Sequence, residues 1–486
     1  MNDALQGMEP EAVWRHFSQI AAIPRCSRHE ERILTHLKEC ADTWGLSWEQ
    51  DTAGNLVIRK PAAPGYEQNP VVVLQGHVDM VCEKNRDTTH DFANDGIRLY
   101  RDGDWLAAQG TTLGADNGIA VAMMLALLEG GVATGALECL FTVDEESGLT
   151  GALQIDPALI RGRRMINLDS EEEGFFCIGC AGGVNTHITL PVVRVQRGEG
   201  TIVREVFISH LHGGHSGAEI HMERGNSIVC MARFLQMLRT SVPGATIAEI
   251  EGGGKHNAIP REVRAVVVVP ASAEQLLQEL TQRSQEIFRR ELQDRDPEVT
   301  VELSPAEAVG EVLGSSAIAT LIDLLLSLPN GVLGTSPTVA GLVETSSNVA
   351  AISTSPEGIS ILTSQRSSGA ELIDWAGERA AAPARLAGAQ VRHTDKYPGW
   401  APSRNNPLLD QAIAAYRRRF EKEPEVGAFH AGLECGVIRD RVGEMDMISF
   451  GPDLIHPHTP EERLNIPSTE RTWKLLVDIL HTPEAG

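Results

Sequence analysis

A histidine and an aspartate stand at the end of one apolar segment of this sequence. His77 directly follows the strand-like run VVVLQG (71–76), and Asp79 comes two residues later. At this spacing the Asp79 carboxylate can approach the imidazole nitrogen that does not bind a metal, which fixes the tautomer and strengthens the ligand. A single histidine here would more often be structural, and it is Asp79 that favours metal binding.

Asp116 lies in TTLGADNGIA, just before a segment with the pattern of a helix (117–130). Aspartate is a favoured N-cap residue, so capping of this helix is one interpretation. Metal binding is the other, because the two oxygens of one aspartate can bridge two metal ions and a histidine cannot do so.

Further carboxylates follow two more apolar runs. Glu145 and Glu146 come after the segment that ends at Val143, and Asp169 ends the segment RRMINL (163–168) in the same manner. Adjacent glutamates are usually surface charges. At the end of a buried strand, however, one of them can bind a metal while its neighbour accepts a proton.

The last candidate group is the segment IHPHTPEE, in which His456 and His458 stand between prolines in a stiff loop. With His458 taken as the ligand from this loop, the whole set comprises two histidines, His77 and His458, and three carboxylate positions. Such a mixed nitrogen and oxygen set suits zinc, manganese or cobalt, and it lacks the thiolates of a structural zinc site.

Alternating strands and helices must position these groups. Between about 70 and 170, the predicted strands 71–76, 136–143 and 163–168 alternate with the predicted helices 117–130 and 147–155. This alternation predicts an α/β fold whose sheet is covered by helices. If the strands are parallel neighbours, their carboxyl ends share one crevice, where ligands of such sheets collect.

The middle of the chain has a different pattern. Residues 190–395 contain two consecutive strand–helix sets, and the first pattern returns after about 396. We therefore predict a discontinuous catalytic domain, 1–187 plus 397–486, interrupted by an α+β lid domain, 188–396, with internal duplication. A length of 486 residues also exceeds what one hydrophobic core supports.

The bulk composition narrows the class of partner. With 66 acidic and 42 basic residues the net charge is −24, which argues against nucleic acid and anionic membranes as partners. The N-terminal segment resembles neither a signal peptide nor a membrane span, so we predict a cytoplasmic protein. The eight cysteines are scattered, which favours reduced thiols, and Cys177 and Cys180 are assigned to a buried strand in preference to a redox or metal site.

Seven motifs occur in an order that matches a known family across nearly the whole chain. They are HVD, LGADNG, DEESG, NLDSEE, GGHSG, GGGKHNAIP and HPHTPEE. The sequence resembles the aminoacyl-histidine dipeptidases (Xaa-His dipeptidases), a family of the co-catalytic dizinc metallopeptidases. The resemblance implies a dizinc-peptidase-type catalytic domain with a mixed, mainly parallel sheet, plus the inserted lid.

The resemblance also implies roles for the candidate residues. Asp116 would bridge two metals, most suitably Zn²⁺, with Co²⁺ or Mn²⁺ as alternatives. One metal site would be completed by His77 and Asp169, the other by Glu146 and His458. By the same resemblance Asp79 orients His77, Glu145 is the general base, and the peptide bond between Asp116 and Asn117 is cis.

Four residues of the lid and its flank carry over as substrate contacts. His215, in HGGHSG, matches a catalytic histidine that reaches toward the scissile carbonyl, and Asn257, in KHNAIP, matches a second contact. Arg366 is a candidate partner of the substrate carboxylate, and Gly432, in HAGLECG, matches a backbone position that lines the site.

The activity that follows is hydrolysis of dipeptides, Xaa-His and β-Ala-His included. A metal-bridged hydroxide would attack the peptide carbonyl while Glu145 takes its proton. An amino-acid deacylase or glutamate-type carboxypeptidase of the same superfamily is the alternative, and a non-catalytic binding protein on the same fold is a second one. The resemblance leaves the oligomeric state open, with a homodimer among the alternatives.

Overall fold

The computed structural model describes residues 3–481. By its internal contacts the chain divides into two compact units. Unit 1 contains the residues up to Cys180, Pro402–Ala428 and the residues from Leu433 on, and unit 2 contains Ala181–Ala401 and Phe429–Gly432. The sequence-based boundaries at 187/188 and 396/397, and the assignment of the middle segment as a lid, stay predictions.

The α-helices of the described residues are α1 (Glu11–Ala21), α2 (Glu31–Thr43), α3 (Ala115–Glu129), α4 (Thr150–Leu153), α5 (Ser227–Ser241), α6 (Glu274–Glu291), α7 (Ser315–Ser327), α8 (Ala370–Leu386), α9 (Pro407–Phe420), α10 (Glu434–Val442) and α11 (Ile466–His481). Among the described residues, none of these helices has the length and apolar character needed to cross a membrane.

The strands are β1 (Ser47–Gln50), β2 (Leu56–Lys60), β3 (Val72–His77), β4 (Leu99–Asp102), β5 (Trp105–Ala108), β6 (Leu137–Thr142), β7 (Arg164–Asn167), β8 (Phe175–Cys180), β9 (Gly182–Leu190), β10 (Arg194–Gln196), β11 (Thr201–Ser209), β12 (Gly214–His215), β13 (Thr246–Gly253), β14 (Ala258–Ile259), β15 (Val263–Pro270), β16 (Thr300–Pro305), β17 (Glu311–Leu313), β18 (Gly331–Thr335), β19 (Val343–Ser355), β20 (Gly358–Ser367), β21 (Gln390–Tyr397), β22 (Glu425–Phe429), β23 (Asp446–Ser449), β24 (Leu454–Ile455) and β25 (Arg463–Asn465).

Unit 1 is built on an 8-stranded mixed sheet in the order β1-β2-β6-β3-β7-β23-β8-β22. Its central strands β6, β3, β7 and β23 are parallel neighbours, and antiparallel strands flank them. The predicted α/β fold with a mixed sheet is therefore confirmed. The parallel centre matters for function because the carboxyl ends of these strands lie at one edge.

Helix α3 covers the sheet centre and packs on α1 and β3. Its sequence, ADNGIAVAMMLALLE, is rich in alanine, methionine and leucine, which are strong helix formers. It is apolar on every side, and a helix of that kind must be buried. Nearly all its side chains are indeed buried, so the start of α3 is held firmly at the edge of the sheet.

Unit 2 is built on a 9-stranded sheet in the order β16-β11-β15-β13-β19-β20-β9-β21, with β18 paired to β19. The two strand–helix sets predicted from the sequence form the two halves of this sheet. They join where β13 pairs with β19 in antiparallel fashion. An internal duplication stays a prediction.

The cysteines contain one departure from expectation. Cys26 and Cys82 form a disulfide with their Cα atoms 5.7 Å apart, so the expectation of reduced thiols is wrong for this pair. The two cysteines are 56 residues apart in the chain. An isolated parallel β-bridge between the backbones of Cys26 and Met80 holds the two segments side by side. Cys177 and Cys180 are both buried in β8, which confirms the buried strand.

Candidate active site

Three candidate ligands lie at or just beyond the carboxyl ends of parallel strands. His77 is the last residue of β3, Glu146 follows β6 and Asp169 follows β7, whereas His458 lies in the loop between β24 and β25. Asp116 stands in the first turn of α3, where its backbone is not helical. The structure thus brings together all five residues that the sequence proposes as metal ligands.

Two groups of three donors share Asp116. In the first, His77 Nε2 is 3.0 Å from Asp116 Oδ1 and 3.6 Å from Asp169 Oδ1. In the second, His458 Nε2 is 3.1 Å from Asp116 Oδ2 and 3.0 Å from Glu146 Oε2. Each oxygen of Asp116 therefore belongs to a different group, which is the arrangement that a bridging carboxylate needs.

The donor atoms fit a pair of small divalent ions. Zinc bonds to nitrogen and oxygen are about 2.0–2.2 Å long, so the donors of one ion lie at most about 4.4 Å apart. The separations above are shorter than that. In addition, Glu146 Oε1 is buried and has no hydrogen-bond partner among residues 3–481, which is costly for a carboxylate unless a cation lies beside it.

Asp79 lies on the other side of the His77 imidazole. Its Oδ1 is 3.3 Å from His77 Nδ1, as its spacing predicts. The same carboxylate accepts hydrogen bonds from Ser27 Oγ and from the backbone N–H groups of Glu145 and Glu146. Although burial opposes ionisation, the hydrogen bond from His77 and these donors lower the pKa of Asp79. Asp79 therefore positions both the histidine and the glutamate pair.

Glu145 differs from its neighbour in its surroundings. It belongs to a third close group with His77 and Glu146. Burial raises the pKa of Glu145 well above its ordinary value, and the charges of Asp169 and Glu146 raise it further. A carboxylate with a raised pKa holds a proton more readily near neutral pH, which suits a general base that must keep and then return a proton.

Glu462 anchors the segment that carries Asp116. Its carboxylate accepts four backbone hydrogen bonds of 2.7–3.2 Å, from the N–H groups of Leu113, Gly114, Ala115 and Asp116. The predicted cis peptide bond between Asp116 and Asn117 is present in the anchored segment. The sequence analysis quoted the motif HPHTPEE but did not select Glu462, although an acid next to a ligand histidine was a usable signal.

Arg25 joins the segment that follows His77 to the segment that carries Asp116. Its Nη1 donates to the carbonyl oxygens of Val78 and Asp79 at 2.9 and 2.8 Å, and its Nη2 donates to that of Gly114. Arg25 is 2% exposed, so these bonds are shielded from water. Sequence reasoning missed it, because nothing in the local sequence IPRCS marks such a contact.

In unit 2, the antiparallel pair of β12 and β14 places His215 opposite Ala258, beside Asn257. His215 Nδ1 accepts the backbone N–H groups of Gly217 and Ala218 at 3.2 and 2.9 Å. Burial and the nearby Arg366 charge lower the pKa of His215 to about 4. The imidazole is therefore neutral near pH 7, with its proton on Nε2 as a hydrogen-bond donor.

Arg366 lies close to His215 within unit 2. A Cβ placed on Gly217 would be 3.0 Å from both Arg366 Nε and His215 Cε1. Arg366 Nη1 donates to Tyr397 Oη at 2.9 Å, whereas its Nε is buried and has no hydrogen-bond partner in the described part of the chain. A Cβ on Gly432 would be 3.1 Å from the Tyr397 ring. Unit 2 thus gathers the predicted substrate contacts, and an unpaired guanidinium N–H lies among them.

The comparison with known proteins decides the class. The chain matches Peptidase family M20/M25/M40 over residues 73–482. It belongs to this peptidase family. As a member of it, the protein is a hydrolase that acts on peptide bonds. The predicted classes of metallopeptidase and dipeptidase are confirmed.

Two similar proteins cover almost the whole chain. The cytosol non-specific dipeptidase of Escherichia coli (strain K12) is 38% identical over 477 residues, 98% of each chain. The crystal structure of aminoacylhistidine dipeptidase from Vibrio alginolyticus superposes with a TM-score of 0.91 at 36% identity over 99% of each chain. A tripeptidase from Staphylococcus aureus shares the fold, with a TM-score of 0.55 at 16% identity over 97% of this chain and 98% of that one.

The buried His430 makes stability depend on pH. Its Nε2 lies 2.7 Å from Ser346 Oγ, and burial with the nearby Arg366 charge lowers its pKa to about 3. Because the unfolded histidine titrates near pH 6.5, the unfolded chain takes up this proton first. The contribution of His430 to the free energy of unfolding is therefore fully present above about pH 6.5, and it is lost progressively as the pH is lowered toward 3.

We predict that wild-type protein loses roughly 1–2 kcal/mol of unfolding free energy at this residue between pH 7 and pH 5. His430→Gln removes that loss, so its melting temperature declines less over the same range in a calorimetric pH series. His29→Gln, at an exposed histidine, is the control and should keep the wild-type slope. A variant slope equal to the wild-type slope would contradict the assignment.

Proposed function

We propose that this dipeptidase hydrolyses dipeptides, Xaa-His substrates such as β-Ala-His included, with two divalent metal ions, most suitably Zn²⁺. The observation that carries the proposal is the pair of donor groups that share Asp116, with the buried Glu145 beside them. When bound, such ions polarise a peptide carbonyl and lower the pKa of coordinated water toward neutrality.

The residues divide into ligands and a base. We assign His77 and Asp169 to one ion, Glu146 and His458 to the other, and Asp116 to both. Glu145 is the general base, because its neighbour Glu146 is the one that lies against His458. Glu145 takes a proton from the attacking water and delivers it to the leaving amine.

His215 supplies a hydrogen bond to the scissile carbonyl oxygen in this proposal. Because His215 Nδ1 accepts hydrogen bonds from two backbone N–H groups, its proton lies on Nε2, which can donate to the substrate. A neutral donor of this kind stabilises the negative oxygen that develops during attack, typically by about 3–4 kcal/mol.

Arg366 binds the substrate carboxylate in this proposal, with Asn257 and Gly432 lining the same subsite. Arg366 is 6% exposed, and its unpaired Nε would be costly unless an acceptor joins it. A carboxylate is a suitable acceptor because it can engage two N–H groups of one guanidinium.

The names of the two similar proteins bear on specificity and location. The protein from Escherichia coli is called non-specific and the one from Vibrio alginolyticus is called an aminoacylhistidine dipeptidase. We therefore propose activity on several dipeptides that includes Xaa-His without restriction to it. The predicted cytoplasmic location agrees with the cytosol dipeptidase from Escherichia coli. The exclusion of nucleic acid and membranes, and a homodimer, stay predictions.

The glutamate pair offers a matched test of base against ligand. We predict that Glu145→Gln lowers kcat by at least about 10³-fold and retains both metals, because it removes the proton acceptor but no ligand. Glu146→Gln and His458→Ala should each lose one metal. Activity assays and elemental analysis of the purified variants provide the measurements. Loss of metal from Glu145→Gln would refute its role as the base.

Substrate recognition is tested with β-Ala-His and its C-terminal amide. Wild-type enzyme should prefer the free carboxylate, and Arg366→Gln should lower kcat/KM for β-Ala-His by roughly 10–100-fold while changing the amide little. N-acetyl amino acids and a folate-like glutamate substrate test the deacylase and carboxypeptidase alternatives in the same assay. Faster turnover of either would contradict the dipeptidase specificity.

A further inference from the structure

A row of buried polar side chains crosses the centre of the unit 1 sheet, just before the metal-ligand candidates. Four members come from the neighbouring strands β6, β3, β7 and β23, and the fifth stands at the start of α10. In that order they are Thr142, Gln75, Asn167, Ser449 and Glu434, and each is 0% exposed. Gln75 stands two positions before His77, and Asn167 stands two positions before Asp169. Side chains two apart on a strand share a face, so this row supports the ligands directly.

The hydrogen bonds of this row all run in one direction. Asn167 Nδ2 donates to Gln75 Oε1 at 2.6 Å, and Gln75 Nε2 donates to Glu434 Oε2 at 2.6 Å. Thr142 Oγ1 donates to the same Glu434 oxygen at 2.7 Å. The chain of donors therefore ends on one carboxylate oxygen.

That end point determines the orientation of both amides. Glu434 Oε2, which receives two donors, requires Gln75 to present its NH₂ group and leaves the Gln75 oxygen for Asn167. Asn167 must then present its own NH₂ group to Gln75. Its Oδ1 remains free to accept the backbone N–H of Asp169, at 3.2 Å, together with the Ser449 hydroxyl.

The cost of Glu434 indicates that its role is not mere stability. Its second oxygen, Oε1, is buried without a hydrogen-bond partner in the described part of the chain. A buried unpaired carboxyl oxygen carries a desolvation cost. Glu434 carries this cost at the end of a chain of hydrogen bonds that begins at the backbone of Asp169, and we explain its presence by the side chains that it orients.

We propose that Glu434 is a positioning residue of the metal centre, which sets the direction of the Gln75–Asn167 amide chain and so holds Asp169 in its ligand orientation. The inference rests on the proposed role of Asp169 as a ligand. The metal content of Asp169→Asn, which should lose one ion, tests that role separately from the variants below.

Exchanging the two ends of one bond tests the direction. Gln75→Glu alone places two acceptors against each other, so it should weaken Zn²⁺ affinity by about 10–100-fold. Adding Glu434→Gln restores a donor–acceptor pair, with the new amide donating to the new carboxylate. The double variant should return to within about threefold of Glu434→Gln alone.

The readouts are the Zn²⁺ dissociation constant by chelator competition and the visible spectrum of the Co²⁺-substituted enzyme, which reports ligand geometry. Glu138→Gln is the matched control, because Glu138 is a buried carboxylate at the opposite end of β6. It should leave the metal affinity and the spectrum unchanged. The proposal is overturned if Gln75→Glu keeps wild-type affinity or if the double variant recovers nothing.

A second variant decides the matter if Gln75→Glu does not fold. Glu434→Met removes the acceptor of the Gln75 amide and the Thr142 hydroxyl, so its melting temperature should fall, and the metal affinity is the measurement that decides the role of Glu434. Its Zn²⁺ affinity should still fall at least about 10-fold, because the amides lose their direction. A purely structural role would lower melting temperature and leave affinity unchanged, and that result would overturn the proposal.

Discussion

Repulsion among carboxylates in one buried crevice is the constraint on which the rest of unit 1 depends. The carboxyl ends of four parallel strands meet at one edge of the sheet, and three of them, β3, β6 and β7, end at or just before His77, Glu146 and Asp169. Burial in this setting raises the pKa of Asp169 to about 6 and that of Glu462 to about 7. Such a concentration of charge persists only where histidines, backbone N–H groups or cations compensate it.

The surrounding chain supplies much of that compensation through residues that are distant in sequence. Glu462 receives four N–H groups of the segment that carries Asp116, and Arg25 binds the carbonyl oxygens of Asp79 and Gly114. Asp79 in turn receives the N–H groups of the glutamate pair. The ligand segments are therefore held to one another by polar bonds, which keeps the donor atoms close enough to share a metal.

Unit 2 uses one buried cation for two purposes. Burial and, secondly, the charge of Arg366 lower the pKa values of His215 and His430, so both imidazoles are neutral at physiological pH. A neutral His215 can donate from Nε2 without adding a second positive charge. The same guanidinium keeps its Nε unpaired, which leaves it able to bind an anionic group.

The sequence by itself determined the chemical class of the site. Strand-length apolar runs and the residues that follow them are local features, so His77, Asp169 and the fold class could be predicted from spacing and motif order. Only the tertiary structure decided the partners of Arg25, Glu434 and Glu462, the Cys26–Cys82 bridge and the tautomer of His215. These depend on which distant segments become neighbours, and Glu462 lies 346–349 residues from the backbone it holds. The hydrophobic periodicity of a segment does not predict such contacts, because it indicates only which side chains of that one element are buried.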